Sequence, residues 1–296
     1  MKQKSWLPIY LALGVVWGCS FIFIKLGLEF LTPVGVAFGR CALGAFALLL
    51  IIKVRGIALP TGRHTWFILW IVSLLLNVFP GILFAYAEQR VTSVLAGIIN
   101  ACTPLTTLIF LLIFFRSEKI MAHQIIGLIT GGVGVLTVLG IWKGIGANSG
   151  LGVIALLVAV TCYGLSFPII KKYLSPLKLR AESLAAGQVS AAALTLLPFS
   201  LFNGIAEENY RPGPIFAMIA LGVLGSGVAY IWNFQIVERA GSSIASSVTY
   251  LTPVVAVFVG VLFLSEHLTW HEPLGGLIVL LGAAISQGRF KGREQA

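Results

Sequence analysis

The chain has 296 residues, 58% of them hydrophobic and only 10% charged, and its mean hydropathy is +0.99. Soluble domains carry about 45–50% apolar and about 25% charged residues, so a soluble fold this apolar would lack the polar residues to coat its surface. The composition is that of an integral membrane protein, and the net charge of +10 has to be read against the membrane before nucleic acid is invoked.

A helix that crosses the hydrocarbon core needs about 20 apolar residues. Ten such runs are predicted, at 7–27, 33–53, 65–87, 91–115, 120–141, 150–171, 181–202, 213–237, 243–264 and 270–289. The first follows a basic start, MKQKSW, as a signal peptide would. It runs for about 20 residues without a small-x-small cleavage site, however, so it is read as a helix of the mature protein. The gaps are short and leave no room for a soluble domain.

Ten spans place both termini on one side. If that side is cytoplasmic, the inner segments hold fifteen Lys and Arg and the outer ones four: Lys25, Arg90, Lys143 and Arg211. Positive charge collects on the cytoplasmic side. The expected topology is therefore N-in/C-in in the cell (inner) membrane, with the lipid bilayer rather than nucleic acid as the partner of the basic charge. Cys19, Cys41, Cys102 and Cys162 stand singly in apolar runs without metal-ligand spacing and are read as small packing residues.

Some of the chain is written twice. WGCSFIFIK at 17–25 and YGLSFPIIK at 163–171 share five of nine residues at a spacing of 146. Farther on, Arg90 to Pro104 and Arg239 to Pro253 are both 14 residues apart, each proline follows a threonine, and each copy then reads Ser-Glu (Ser117-Glu118, Ser265-Glu266) with Gly127 or Gly275 nine residues later. The expected units are 1–145 and 146–296. With five helices in each, the second copy enters the membrane from the opposite side, the inverted-repeat plan of many secondary transporters, whose substrate site lies between the repeats.

In WGCSFIFIK, the Thr103-Pro104 and Thr252-Pro253 pairs, the Ser-Glu-to-Gly spacing and the 5+5 helix count, the chain resembles the EamA family of the drug/metabolite transporter (DMT) superfamily. The likeness covers nearly the whole chain, is most specific around the Thr-Pro pairs, and is greatest to the YddG-like branch of aromatic amino-acid exporters. It implies ten transmembrane helices around a central cavity and the export or exchange of small metabolites. The superfamily also holds nucleotide-sugar and triose-phosphate carriers, so membership leaves the substrate open.

Pro104 and Pro253 free the carbonyls of Asn100 and Thr249, and their matched positions suggest a pair of kinked helices that line the cavity and take part in gating. Positions 17, 20, 21 and 24 share one helical face. Trp17 lies too deep for an interfacial belt residue, and with Ser20 it is expected to face the cavity, as are Tyr163 and Ser166 in the second copy. Gly14 and Gly18 form a small-xxx-small ridge, which the second copy breaks with Val160. Asn77, Asn100, Gln188, Tyr230, Asn233 and Tyr250 are the other polar candidates at mid-membrane depth. The lining they describe suits an uncharged or zwitterionic amphipathic molecule.

Arg40 is the single charge well inside a predicted span, with Glu88 its expected partner and Gln188 its counterpart in the second half. Binding a substrate carboxylate, locking an outer gate and a structural ion pair all fit it. The ten acidic residues fall at or beyond the span ends, so no proton-carrying carboxylate is expected in the cavity. Glu118 and Glu266 would complement the dipoles of the helices they precede. Gly127, Gly131, Gly134, Gly275 and Gly282 suggest close-packing faces, in a monomer or a homodimer. No nucleophile-elbow, zinc-protease or Walker motif is present, and neither a catalytic residue, a metal nor a cofactor is expected. A secondary transporter that exports or exchanges small amphipathic metabolites, aromatic or other neutral amino acids above all, by alternating access is the leading expectation; a transporter of another substrate class, such as drugs or nucleotide sugars, and a non-transporting membrane receptor or assembly component are the alternatives.

Overall fold

The computed structural model describes residues 6–114, 122–138, 149–206, 211–264 and 269–286. Ser117-Glu118 and Ser265-Glu266 lie outside them. Among the described residues, eight helices are long and apolar enough to cross a membrane: α1 (Leu7–Gly27), α2 (Pro33–Val54), α3 (Arg63–Glu88), α4 (Ser93–Phe114), α6 (Gly150–Leu177), α7 (Ala181–Asn203), α8 (Pro212–Ala240) and α9 (Ser242–Phe263). Two shorter helices, α5 (Ala122–Val138) and α10 (His271–Ser286), correspond to the spans predicted at 120–141 and 270–289, which extend past the described residues.

Local chemistry sets the helix starts. Thr32 caps α2 by accepting from Gly35 N at 3.1 Å, with Pro33 at the first helical position, and Thr92 caps α4 through Leu95 N at 3.1 Å. The predicted span at 150–171 ends too early, because the charges of Lys171 and Lys172 read as a stop. The helix carries both lysines through a π-helical turn, Ile170–Leu174, with both side chains exposed.

The contacts between helices run largely between the two halves of the chain. α5 lies along α10, α2 along α7 and α4 against α9, while α2 packs on α8 as α3 does on α7, α3 on α6 as α1 on α8, and α4 on α6 as α1 on α9. Exchanging α1–α5 for α6–α10 leaves this pattern unchanged. The ends match as well. Thr32 N donates to Gly204 O at the end of α7 (3.1 Å), and Ser183 Oγ at the start of α7 donates to Ala58 O just past α2 (2.7 Å).

Two buried apolar clusters lie one above the other along the helices. One holds Tyr10, Leu13, Leu69, Val72, Phe167, Leu174, Phe234 and Val248, and the other Phe21, Ile24, Phe84, Ile98, Val153, Leu156 and Ala256. α1 starts in the first cluster and ends in the second, and α6 runs the other way, from Val153 to Leu174. Tyr163 packs against both, and Trp17 lies beside the first.

Candidate functional site

Between the clusters is a cavity walled by Trp17, Ser20, Phe21 and Ile24 of α1, Arg40 of α2, Leu76 and Phe84 of α3, Asn100 of α4, Tyr163 and Phe167 of α6, Tyr230 of α8 and Thr249 of α9. The empty space among these residues is about 520 Å³, part of it open to the surroundings.

The shape of the wall follows from interrupted helices. α3 and α8 each contain a π-helical segment, Leu74–Val78 and Leu221–Val228. Such a segment turns carbonyls out of the helical ladder, and each supplies one to an aromatic wall residue. Tyr230 Oη donates to Leu76 O (2.9 Å) and Trp17 Nε1 to Gly225 O (3.2 Å). Those two rings meet edge to face, their centroids 6.0 Å apart, while Phe84 lies between Phe21 (5.8 Å) and Tyr163 (5.7 Å, stacked).

α4 and α9 are broken at the Thr-Pro pairs, and the threonines close both breaks. Thr103 Oγ1 donates to Asn100 O and Thr252 Oγ1 to Thr249 O, each at 2.8 Å, so the carbonyls released by Pro104 and Pro253 are both satisfied. Asn100 Nδ2 then donates to Thr252 Oγ1 (3.1 Å) and joins the breaks. Glycines let α1 and α6 close in on these helices. A Cβ on Gly18 would collide with Val255 of α9, and one on Gly164 with Thr106 of α4. Thr106 Oγ1 also donates to Val160 O of α6 (2.9 Å).

Of the residues expected in the site, the structure brings Trp17, Ser20, Asn100, Tyr163, Tyr230 and Arg40 to the cavity. Ser166, the counterpart of Ser20, is fully buried outside the wall and donates to Tyr163 O (2.6 Å). Asn77 is a helix-to-helix link, its Oδ1 accepting from Gln188 Nε2 of α7 at 2.6 Å. Asn233 is fully buried on α8, and Tyr250 sits beside Thr249 without reaching the wall. Leu76, Phe84, Phe167 and Thr249 are wall residues that sequence reasoning missed. Phe167 belongs to the repeated phrase and Thr249 is the residue whose carbonyl Pro253 frees, so both carry a signal. Leu76 and Phe84 are apolar residues in an apolar run and carry none.

Arg40 and Glu88 are not joined by an ion pair. The ion pairs among the described residues run from Glu182 to Arg55 (3.1 Å) and Arg180 (3.3 Å). Arg40, 7% exposed, donates from Nε to Ser226 Oγ of α8 (2.8 Å), and its terminal nitrogens have no hydrogen-bond partner among the described residues. Glu88 is held elsewhere, its Oε2 accepting from Ser93 Oγ at 3.1 Å and its backbone carbonyl from Lys25 Nζ at 2.6 Å. The pair Arg40 to Ser226 joins α2 to α8, and Gln188 to Asn77 joins α7 to α3. These are equivalent places in the two halves, charged in one and neutral in the other.

An all-helical membrane protein with a small, largely aromatic cavity between two interlocked halves is the class that the fold and site define. The model of the EamA-like transporter family matches twice, over residues 4–140 and 150–287, and the chain belongs to that family. It is 26% identical over 98% of its length to an uncharacterized transporter of Archaeoglobus fulgidus, of which it covers 99%. It is 25% identical to the uncharacterized transporter YoaV of Bacillus subtilis (96% and 97% covered) and 26% identical to the uncharacterized inner membrane transporter YedA of Escherichia coli strain K12 (98% and 94%). A solved crystal structure has the same fold, with a TM-score of 0.70 at 18% identity over 98% of this chain and all of that one. The protein is a multi-pass membrane transporter.

Proposed function

We propose that the protein is a secondary transporter of the cell (inner) membrane that moves small amphipathic metabolites through the central cavity by alternating access. Aromatic amino acids, the substrates of the YddG-like branch, and other neutral amino acids are the first compounds to test. The ten helices form two inverted five-helix repeats, 1–145 and 146–296, with both termini in the cytoplasm. Support for the inversion comes from α1 and α6 running oppositely between the same two apolar clusters, together with the contact pattern that survives exchange of the halves. Each half then offers the same gate to one face of the membrane. Cytoplasmic termini agree with the fifteen-to-four distribution of Lys and Arg.

The observation that carries this reading is the position of the cavity, between the two clusters and lined by Asn100 and Thr249 at the two Thr-Pro helix breaks. One side-chain hydrogen bond, Asn100 to Thr252, joins the two breaks, and a net intramolecular hydrogen bond contributes only about 1 kcal/mol of free energy to holding them together. Opening toward one face would pull a single cluster apart and leave the other closed.

The test is counterflow of labelled amino acids and related metabolites in liposomes holding the purified protein, with and without a pH gradient. Saturable counterflow of one chemical class is expected, indifferent to the gradient because no carboxylate lines the cavity among the described residues. Trp17→Ala and Asn100→Ala are expected to lower it in protein that still elutes as a single folded species. Saturable binding without flux would put a receptor in place of the transporter.

A further inference from the structure

Arg40 is a buried cation that forms no ion pair with a carboxylate among the described residues. Its Nε is held by Ser226 at 2.8 Å, which aims the guanidinium at the cavity wall where the remaining N–H groups have no hydrogen-bond partner among the described residues. The other polar side chains of the wall are mostly engaged within the protein. Ser20 donates to Val16 O (3.0 Å), Thr249 to Ser246 O (2.8 Å), Tyr230 to Leu76 O (2.9 Å) and Trp17 to Gly225 O (3.2 Å). Tyr163 Oη, on the same cavity, also has no hydrogen-bond partner among the described residues.

Among the described residues, the wall contains no Asp or Glu. Every buried carboxylate among the described residues has its work elsewhere. Glu88 receives Ser93, Glu182 receives Arg55 and Arg180, and Glu272 receives the backbone N–H and hydroxyl of Thr269, both at 2.8 Å. Burying an unpaired cation is costly, and the cost falls when an anion is bound. A planar guanidinium takes a carboxylate through two parallel N–H···O bonds. The same wall offers an ammonium group no counter-charge.

Resting on the transporter reading above, we propose that the cavity selects a net monoanion: a carboxylate on an apolar or aromatic body with no ammonium group, such as a 2-keto acid. The carboxylate lies on Arg40, Tyr163 donates to the second polar group, and Trp17, Phe84 and Tyr230 cover the body. The neutral pair Gln188 to Asn77 at the equivalent place in the other half gives the site one polar pole, so the guest binds in one orientation. The amino acids suggested by the family resemblance then rank below their keto acids.

The test compares ligands of one shape and different charge. Binding to purified wild-type protein is measured with labelled phenylpyruvate, competed by phenylalanine and phenethylamine, and again with pyruvate against alanine and ethylamine. Each keto acid is expected to bind about tenfold or more tightly than its amino acid, the loss typical of a charge-assisted bond left without compensation, with the amine weakest. Arg40→Gln is expected to abolish the preference and Arg40→Lys to keep some of it; if Arg40→Gln does not fold, the wild-type order of affinities decides. Equal or tighter binding of the amino acids in both series would overturn the monoanion and leave the transporter standing. Counterflow of none of the six compounds or of the wider metabolite panel would instead remove the transporter reading on which it rests.

Discussion

Residues of similar chemistry have different jobs in this cavity, and the hydrogen bonds separate them. The Tyr230 hydroxyl is tied to Leu76 O, whereas that of Tyr163, another residue of the cavity wall, has no hydrogen-bond partner among the described residues. Tyr230→Phe should therefore strand a buried carbonyl and lower stability by about 1–2 kcal/mol, read as a drop in the midpoint of thermal unfolding in detergent. Tyr163→Phe should leave that midpoint in place and weaken substrate binding several-fold. Equal midpoints for the two variants would contradict the assignment. Arg40 is legible in the sequence as a charge inside a span, but its partner is not. Glu88 suggests itself by lying near the outer end of the next helix, and the bond to Ser226 depends on how α2 meets α8, which no spacing within either helix reveals.

Among the elements, the Thr-Pro pairs are the joints. Each proline removes a helical bond, and the preceding threonine replaces it with a side-chain bond to the released carbonyl. Thr252→Val is expected to cost about 1–3 kcal/mol, because it frees Thr249 O and also removes the acceptor of Asn100. Thr103→Val, which loses only the local bond, should cost less; the reverse order in thermal unfolding would contradict the proposed link between the breaks. The glycines at the crossings of α1 with α9 and of α6 with α4 belong to the same design. Gly18→Val and Gly164→Val should each destabilise by about 1–3 kcal/mol through overpacking, and unchanged unfolding midpoints would show that the crossings are looser than drawn. These elements are readable in the sequence, since proline, glycine and threonine act through the backbone and leave a local trace. The π-helical segments are not, because nothing in LLLNV or LGVLGSGV departs from an ordinary apolar helix.

For the whole molecule, the helical membrane class follows from composition and the helix positions from hydropathy, since crossing lipid leaves a chain few alternatives. The duplication is visible as repeated words. How the halves interlock is hidden, because contacts such as Gly18 with Val255 and Gly164 with Thr106 join residues far apart in sequence. Transport by this molecule rests on the cavity opening to each side of the membrane in turn. Ser20 lines that cavity, so a single cysteine placed there, as Ser20→Cys in a variant whose four native cysteines are replaced, reports its access. Labelling with a membrane-impermeant maleimide, applied separately to each face of sealed vesicles, is the most direct measurement. Alternating access predicts reaction from either face, slowed in both cases by a bound substrate. Reaction from one face only, whatever solute is present, would contradict it.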